Sequence, residues 1–203
     1  MKEWRESATE VSPDISVVIL CYRAEDFVPV FVEQMKRVLQ DRRVSYELVL
    51  VANYDAAAIP PDRTPAIARA LARGEPLVNV VAKPKQGMMG WDMRRGLEVA
   101  RGETIAVIDG DGQMDPADVV AVYDCLRDGG FDMAQTYRID RQDGLARRLI
   151  SSVYNVVLRM LFPSVRVRDA NGKPKIFTRE ALENLTLSSD AWFIDAEMII
   201  QAS

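Results

Sequence analysis

Two aspartates one residue apart, each followed by glycine, stand mid-chain: Asp109-Gly110-Asp111-Gly112, within TIAVIDGDGQMDP at residues 104–116. Carboxylates this close repel each other unless water or a cation lies between them. The segment is therefore either a solvated turn or an anchor for something positive. Asp-Gly pairs form turns readily, which is the purely structural reading. A calcium loop of the EF-hand kind does not fit, because its sixth position would be Met114 instead of glycine and its twelfth Val120 instead of glutamate. The chemical reading is a divalent cation shared with a diphosphate. Mg2+ or Mn2+ takes oxygen ligands, and one or two carboxylates suffice when phosphate oxygens and water complete the shell. Asp109 and Asp111 offer the carboxylates and Gln113 a neutral oxygen. Gly110 and Gly112 let the backbone bend and keep side chains clear of the diphosphate.

The rest of the composition narrows the chemistry further. There is no histidine, which excludes Ser-His-Asp and Cys-His nucleophile systems and His-ligated zinc. The two cysteines, Cys21 and Cys125, lie far apart in different elements and read as reduced thiols. Any chemistry must come from carboxylates, Arg and Lys, hydroxyls, a bound metal or the backbone. The chain has 203 residues, 48% of them hydrophobic, enough for one sizeable core. A formal net charge of −4 gives no reason to expect a nucleic-acid partner. The start, MKEWRESATEVSP, lacks the apolar core of a signal peptide, and no apolar run approaches the roughly 20 residues of a membrane span. A soluble, cytoplasmic chain is expected, with residues 1–13 as a flexible tail.

The elements that must position the aspartates alternate regularly. ISVVIL (15–20), YELVLVA (46–52), LVNVVA (77–82), TIAVID (104–109) and FDMAQTY (131–137) read as strands, rich in β-branched residues and bounded by polar turns. Helices are predicted over 27–40, about 65–73, about 91–101, and from Asp115-Pro116 to about Arg127. This order argues for a parallel sheet covered on both faces, which binds ligands beyond the C-terminal ends of its strands. Asp109 and Asp111 fall at such an end. So do Cys21 to Glu25, Asn53 to Asp55, and Lys83 to Gly87, so four loops should converge on one crevice. After residue 138 the pattern changes. Residues 143–162 form an amphipathic helix with Leu149, Val153, Val156, Val157 and Met160 on its apolar side. DANGKPKIFTREAL (169–182) reads as loop, short strand and helix start, and WFIDAEMIIQAS as a last helix.

At this point the sequence resembles the glycosyltransferase family 2 proteins of the GT-A fold, in their dolichyl-phosphate mannose synthase-like branch. The resemblance covers most of residues 14–202. ISVVILCYRAED is similar to that family's opening strand and turn, YELVLVANYD to its second strand, and IDGDGQMDP to its Asp-Ala-Asp-x-Gln-x-x-Pro segment. YRIDR with the Arg147/Arg148 helix is similar to its arginine-rich region. The resemblance implies a Rossmann-like three-layer α/β/α domain with a mostly parallel central sheet, spanning 14–203. It implies a nucleotide-diphospho-sugar donor, a GDP- or UDP-sugar, an inverting transfer, and a place in cell-envelope polysaccharide synthesis. Asp109, Asp111 and Gln113 then match the metal and donor site, with Gly110 beside the donor. Cys21, Tyr22 and Glu25 match the loop near base and ribose, with Asn53, Asp55, Lys85 and Gly87 on the neighbouring loops. The sequence departs from the family at Ala52-Asn53-Tyr54-Asp55, where Asp-Asp-Gly-Ser is usual, and at Arg23, where asparagine is common. It also stops inside the WFIDAE-like helix, as a shortened form or a fragment would.

Transfer from a nucleotide sugar requires the diphosphate to leave, and a metal with a fixed cation such as Arg138 stabilises the charge that develops. A polyprenyl-phosphate acceptor is already ionised and needs no base. A small hydroxyl acceptor needs one, for which Asp195 and Glu197 are candidates, with Asp190 behind them. Asp190 as a helix cap and Asp195 as an exposed helix position are the structural alternatives. Between residues 137 and 168 there are seven arginines and two aspartates. Arg138 and Arg141 follow the fifth strand near the crevice, and read either as a phosphate contact by at least one of them or as solvated surface charge. Arg147, Arg148 and Arg159 make either the wet face of a packed helix or a basic face peripheral to a membrane. Lys173 and Lys175 are either phosphate contacts or a charged loop. Met88 and Met89 read first as packing residues, and Trp192 and Phe193 as core or as the lining of an acceptor pocket. A sugar-nucleotidyltransferase is disfavoured, because CYRAED lacks glycine, and a dinucleotide oxidoreductase because no Gly-x-Gly-x-x-Gly follows a strand. A catalytically silent nucleotide-sugar-binding or scaffold domain is the remaining alternative.

Overall fold

The computed structural model describes residues 12–137, 156–158, 160–165 and 169–203. The tail 1–11, Arg138, Arg141, Arg147, Arg148, Leu149, Val153 and Arg159 lie outside the described residues. Elements follow in the order β1 (Ile15–Leu20), α1 (Phe27–Arg42), β2 (Tyr46–Val51), α2 (Thr64–Leu71), β3 (Val78–Val81), α3 (Met89–Leu97), β4 (Thr104–Asp109), α4 (Ala117–Gly129), β5 (Met133–Gln135), β6 (Lys175–Thr178), α5 (Arg179–Glu183) and α6 (Ile194–Gln201).

The sheet has six strands in the order β3-β2-β1-β4-β6-β5. The first four are parallel, and β6 is antiparallel to both β4 and β5. The apolar strand runs are unbroken because both faces are covered. Ile15, Val17, Ile19, Leu48, Leu50, Ala106 and Ile108 meet α1, α2 and α4 on one face. The alternate residues Val18, Leu20, Val49, Val51, Ile105 and Val107 meet α3 and α6 on the other. These are the three α/β/α layers that the sequence implies.

Two features of this sheet place the site. The chain builds outward from β1 to β3, then crosses back to lay β4 on β1's other side, so the two halves diverge between β1 and β4. Such a switch point opens a crevice at the C-terminal strand ends. Asp109 sits there, in register with Leu20, and the Gly110 N–H donates to the Leu20 carbonyl at 2.9 Å. A Cβ on Gly110 would meet Ile19 Cγ2 at 2.7 Å, so this close approach needs glycine. The second feature is β6. Being antiparallel, it starts where β4 ends, and Lys175 pairs with Val107. The segment DANGKPK is thereby delivered to the mouth of the crevice.

The structure differs from sequence expectation in three places. The fifth expected strand is only three residues long and lies at the sheet edge, paired antiparallel with β6. The helix after Asp115 begins at Ala117, with the Asp115 carboxylate accepting the Ala117 N–H at 2.9 Å. Of the expected amphipathic helix, 156–158 and 160–161 are described and helical. There Leu158 is buried with Val165, Ala170, Ala196 and Ile199, whereas Val156, Val157 and Met160 are exposed.

Gly96 shows how closely the layers meet, because a Cβ there would overlap Val18 Cγ1 and Val51 Cγ2, the latter at 2.6 Å. β-branched side chains buried in a sheet have little room to move. We expect Gly96→Ala to destabilise the protein by about 1–3 kcal/mol, read as a melting temperature several degrees lower.

Candidate active site

A cleft of about 410 Å³ lies at the switch point, lined by Leu20, Tyr22, Lys85, Gly87, Met88, Met89, Asp92, Asp109, Asp111 and Trp192. Larger depressions of about 560 and 660 Å³ lie at the opposite, N-terminal ends of the strands, around Thr104 and Tyr46. The smaller cleft holds the convergent charged groups and is the candidate site. Three of the four expected loops reach its lining. The Asn53–Asp55 loop does not.

Asp109 is partly exposed in the cleft, and its Oδ1 accepts from the Lys173 ammonium at 2.9 Å. Asp111 is exposed, with Oδ1 accepting the Gln113 N–H at 3.0 Å. Neither carboxylate turns from the groove or is sealed against arginine. Behind Asp109 runs a dry line of alternating charge. Lys173 lies 3.7 Å from Asp195 Oδ2, and Lys175 lies 3.3 Å from Asp195 Oδ1. The fully buried Lys175 also donates to the Ala170 carbonyl at 2.9 Å. Burial drives the Lys175 ammonium below the ordinary lysine range, against the pull of the Asp195 carboxylate and with a push from Lys173.

Asp195 is thus neither an exposed helix position nor a residue of the cleft lining. It is buried between two ammonium groups. Glu197 is spent on the preceding loop. Its Oε1 accepts from the Ser188 N–H at 3.0 Å and the Ser188 hydroxyl at 2.7 Å, and its Oε2 from the Ser189 N–H at 2.9 Å. Burial raises its pKa, but these hydrogen bonds, with Arg94, outweigh it and hold the carboxyl below the usual range. Asp190 pairs with Arg94, and its carbonyl accepts the Met88 and Trp91 N–H groups at the start of α3. It does not cap α6.

The Cys21–Asp26 turn carries Tyr22 into the cleft. Arg23 and Glu25 have φ of 55° and 40°, a left-handed region that costs non-glycine residues about 1–3 kcal/mol. Asp62, Arg63 and Thr64 hold the turn there. Asp62 Oδ2 accepts the Arg23 N–H, Thr64 Oγ1 accepts the Glu25 N–H at 3.0 Å, and Arg63 pairs with Glu25 at 2.8 Å and with Asp26 at 3.2 Å. The Cys21 thiol faces away. It is buried, donates to the Ile19 carbonyl, and burial pushes its pKa up to about 12. Both cysteines are free thiols, and Cys125 is exposed.

Asn53 is buried with its amide fully engaged. Nδ2 donates to Asp92 Oδ1 at 2.9 Å and Oδ1 accepts the Lys83 N–H at 2.9 Å. The other Asp92 oxygen holds Lys85, whose ammonium lies 4.3 Å from the Tyr22 ring centroid. Asp55 is exposed and caps its own turn through the Ala57 N–H. Gly87 packs where a Cβ would meet Trp91 Cβ at 2.6 Å. Gln113 lines a separate depression between α1 and the start of α4. Trp192, Met88 and Phe193 are exposed instead of packed, and Trp192 and Met88 line the cleft.

Sequence reasoning did not find the Lys173–Asp195–Lys175 line, the Asp92 anchor or the Asp62-Arg63-Thr64 clamp. The only signals were two lysines bracketing Pro174 just before an apolar strand, and an Asp-x-Thr pattern before a proline-started helix.

Among the described residues there is no cluster of three or more Cys, Asp or Glu side chains able to enclose a metal by themselves. A cation shared with a diphosphate needs no such cage. Asp111 at the surface, and the Asp109 oxygen not engaged by Lys173, suit Mg2+ or Mn2+.

Comparisons with known proteins give a family and a fold. A family model described as "Glycosyl transferase family 2" matches residues 16–186. The low-salt glycan biosynthesis hexosyltransferase Agl6 of Haloferax volcanii is 27% identical over 199 residues, covering 96% of this chain and 45% of that protein. Dodecaprenyl-phosphate galacturonate synthase of Rhizobium johnstonii is 27% identical over 180 residues, covering 88% of this chain and 52% of that protein. The chain thus spans about half the length of these curated relatives. Among solved structures, glucosyl-3-phosphoglycerate synthase from Mycobacterium tuberculosis, in complex with Mn2+, UDP-glucose and phosphoglyceric acid, superposes with a TM-score of 0.68 at 20% identity, covering 94% of this chain and 68% of that one. The mannosyltransferase PcManGT from Pyrobaculum calidifontis, in complex with GDP-Man and Mn2+, gives a TM-score of 0.54 at 20% identity, covering 93% and 51%. At such identity these two structures establish the fold.

The Glu197 contacts predict a pH-dependent contribution to stability. A carboxyl whose folded pKa is lowered stabilises above its unfolded value, near 4.5, and loses that contribution as pH falls through the folded value. Glu197→Gln should therefore cost about 1 kcal/mol at pH 7. The melting-temperature gap to wild type should close as pH is lowered below 4.5.

Proposed function

Since the chain belongs to glycosyl transferase family 2, we propose that it moves a hexose from a nucleotide-diphospho-sugar, held in the Asp109–Asp111 cleft with Mg2+ or Mn2+, to a polyprenyl-phosphate acceptor. The observation that carries this reading is the acidic pair itself. It stands at the switch point of an α/β sheet, with one carboxylate exposed and the other tethered to a lysine. When bound, the cation neutralises the leaving diphosphate.

This chain's own residues provide the remainder. Asp109 and Asp111 hold the cation–diphosphate unit. Lys85, fixed by Asp92, presents an ammonium beside the Tyr22 ring, where a base or ribose is received. The engaged amide of Asn53 supports a role in shaping that wall, not in reading the base directly. Arg138 acts on the diphosphate in this proposal on sequence grounds, and the transfer inverts the anomeric carbon, as the family resemblance implies.

The acceptor follows from what Asp195 and Glu197 do. A general base must come within hydrogen-bond reach of the proton it removes. Asp195 is buried behind Lys173, and Glu197 is occupied by Ser188 and Ser189. That supports an acceptor already ionised, such as a lipid phosphate. Two curated relatives act on acceptors of this kind by their names, the dodecaprenyl-phosphate galacturonate synthase and undecaprenyl-phosphate 4-deoxy-4-formamido-L-arabinose transferase of Pseudomonas fluorescens. Val156, Val157, Met160 and Leu161 leave an apolar surface exposed, of a kind that lipid covers. In this proposal the domain meets its acceptor at the membrane surface; among the described residues no helix is long and apolar enough to cross a membrane. The dolichyl-phosphate mannose synthase-like branch is part of the same proposal.

The test is a thermal-shift panel of GDP- and UDP-sugars with Mn2+, followed by transfer to polyprenyl phosphate and, separately, to a soluble hydroxyl acceptor. A ligand that binds only the folded state raises its melting temperature. We expect one base class to stabilise the protein, EDTA to remove the effect, and Asp111→Ala to abolish it while lowering turnover by about 100-fold or more. No shift with any nucleotide would sink the reading.

A further inference from the structure

Of the two cleft aspartates, Asp109 already has a cation on one oxygen. The Lys173 ammonium lies 2.9 Å from Asp109 Oδ1 and 3.2 Å from Met89 Sδ, and its side chain is only 3% exposed. The backbone around Lys173 is pinned as well. Its carbonyl accepts the Thr136 hydroxyl at 2.5 Å, the next carbonyl, of Pro174, accepts the Thr136 N–H at 3.2 Å, and Gly172 packs directly on the Thr136 carbonyl. Lys175 then prevents Asp195 from neutralising Lys173 alone, since both ammonium groups share that carboxylate. Asp109 and Asp195 both meet Lys173, and Asp195 and Asp169 both act on Lys175. A divalent cation entering by itself stands close to the Lys173 ammonium in a partly dry site. A cation arriving with a diphosphate brings its own negative charge.

Building on the proposed donor site, we propose that Lys173 partly occupies the cation's place on Asp109. A divalent ion is then held weakly alone and firmly only together with a diphosphate. Lys173 is a positioning residue in this scheme: it sets the coupling between metal and donor and keeps Asp109 from over-committing to metal. Because such coupling is reciprocal, the ion raises diphosphate affinity by the same factor.

The experiment measures Mn2+ binding by electron paramagnetic resonance, alone and with saturating GDP or UDP, on the full chain. Circular dichroism and thermal melting check that each variant is folded. Wild type should bind Mn2+ at least about tenfold more tightly when the nucleoside diphosphate is present. Lys173→Met should bind Mn2+ alone about tenfold more tightly than wild type, with most of the nucleotide dependence gone. Lys173→Arg, which keeps the charge, should stay weak. Asp195→Asn, which removes the counter-ion behind Lys173, should weaken binding of Mn2+ alone further, a direction opposite to Lys173→Met. A folded Lys173→Met that binds Mn2+ alone no better than wild type overturns the proposal. Should that variant not fold, an Asp195→Asn protein with unchanged or tighter Mn2+ binding overturns it equally. Equal Mn2+ affinity with and without nucleotide in wild type does the same, leaving the donor-site reading intact. No binding of Mn2+ with either nucleotide, in wild type and every variant, overturns the donor-site reading itself and this inference with it.

Discussion

The ion pair between Lys173 and Asp109 joins the start of the one internal antiparallel strand to the end of the central parallel one. A buried charge is tolerated only when an opposite charge or several hydrogen bonds meet it, and breaking one member of a buried pair costs about 3–5 kcal/mol. Here that constraint propagates. Lys173 requires Asp195, Asp195 lies against Lys175, and Lys175 ends on the Ala170 carbonyl. The chain of requirements fixes β6, the 169–174 loop and the first turn of α6 relative to the end of β4. Such a line adds little net stability compared with apolar packing. What it supplies is geometry, since displacing any of these segments parts a buried charge from its partner.

The other wall of the cleft is held differently. Its turn, with Arg23 and Glu25 in left-handed conformations, is kept from relaxing by the 62–64 segment. Thr64 is buried, but Arg63 and Asp26 are exposed, so water competes for their ion pairs and the individual worth of each is small. The charges behind Asp109 are buried, whereas the ion pairs around the Tyr22 turn are wet. Adaptation to different ligands is easier on the second side, where contacts can be exchanged without stranding a charge.

Much of this architecture was legible in the sequence, and the limits are instructive. Ile15–Leu20, Tyr46–Val51 and Thr104–Asp109 announce themselves as runs of β-branched residues flanked by turns, and a run apolar at every position signals cover on both faces. The acidic pair was readable because it ends such a run. The location of β6 was not, because strand pairing across more than sixty residues leaves no local periodicity. Asp195 therefore read as a catalytic base or an exposed helix position, and Lys175 as a phosphate contact or a charged loop, when the two are buried against each other. Trp192, an aromatic at a helix start, read as core or as pocket lining, and it borders the cleft, where an exposed aromatic face has something to meet. Asn53 resembled a ligand contact by position, and only the fold reveals Asp92, thirty-nine residues on, taking its amide.

The insertion of β6 also has a bearing on how the protein is made. Ribosomes release the chain from its amino end, and domains begin to organise as they emerge. β1 to β4 form a contiguous block that can collapse early, with Asp109 already at its rim. Its counter-ion arrives only after a further sixty-four residues have been translated. During that interval the nascent sheet carries a naked acidic edge and an unfilled slot beside β4. The cleft is therefore complete only once the segment from Lys173 to Thr178 has joined β4.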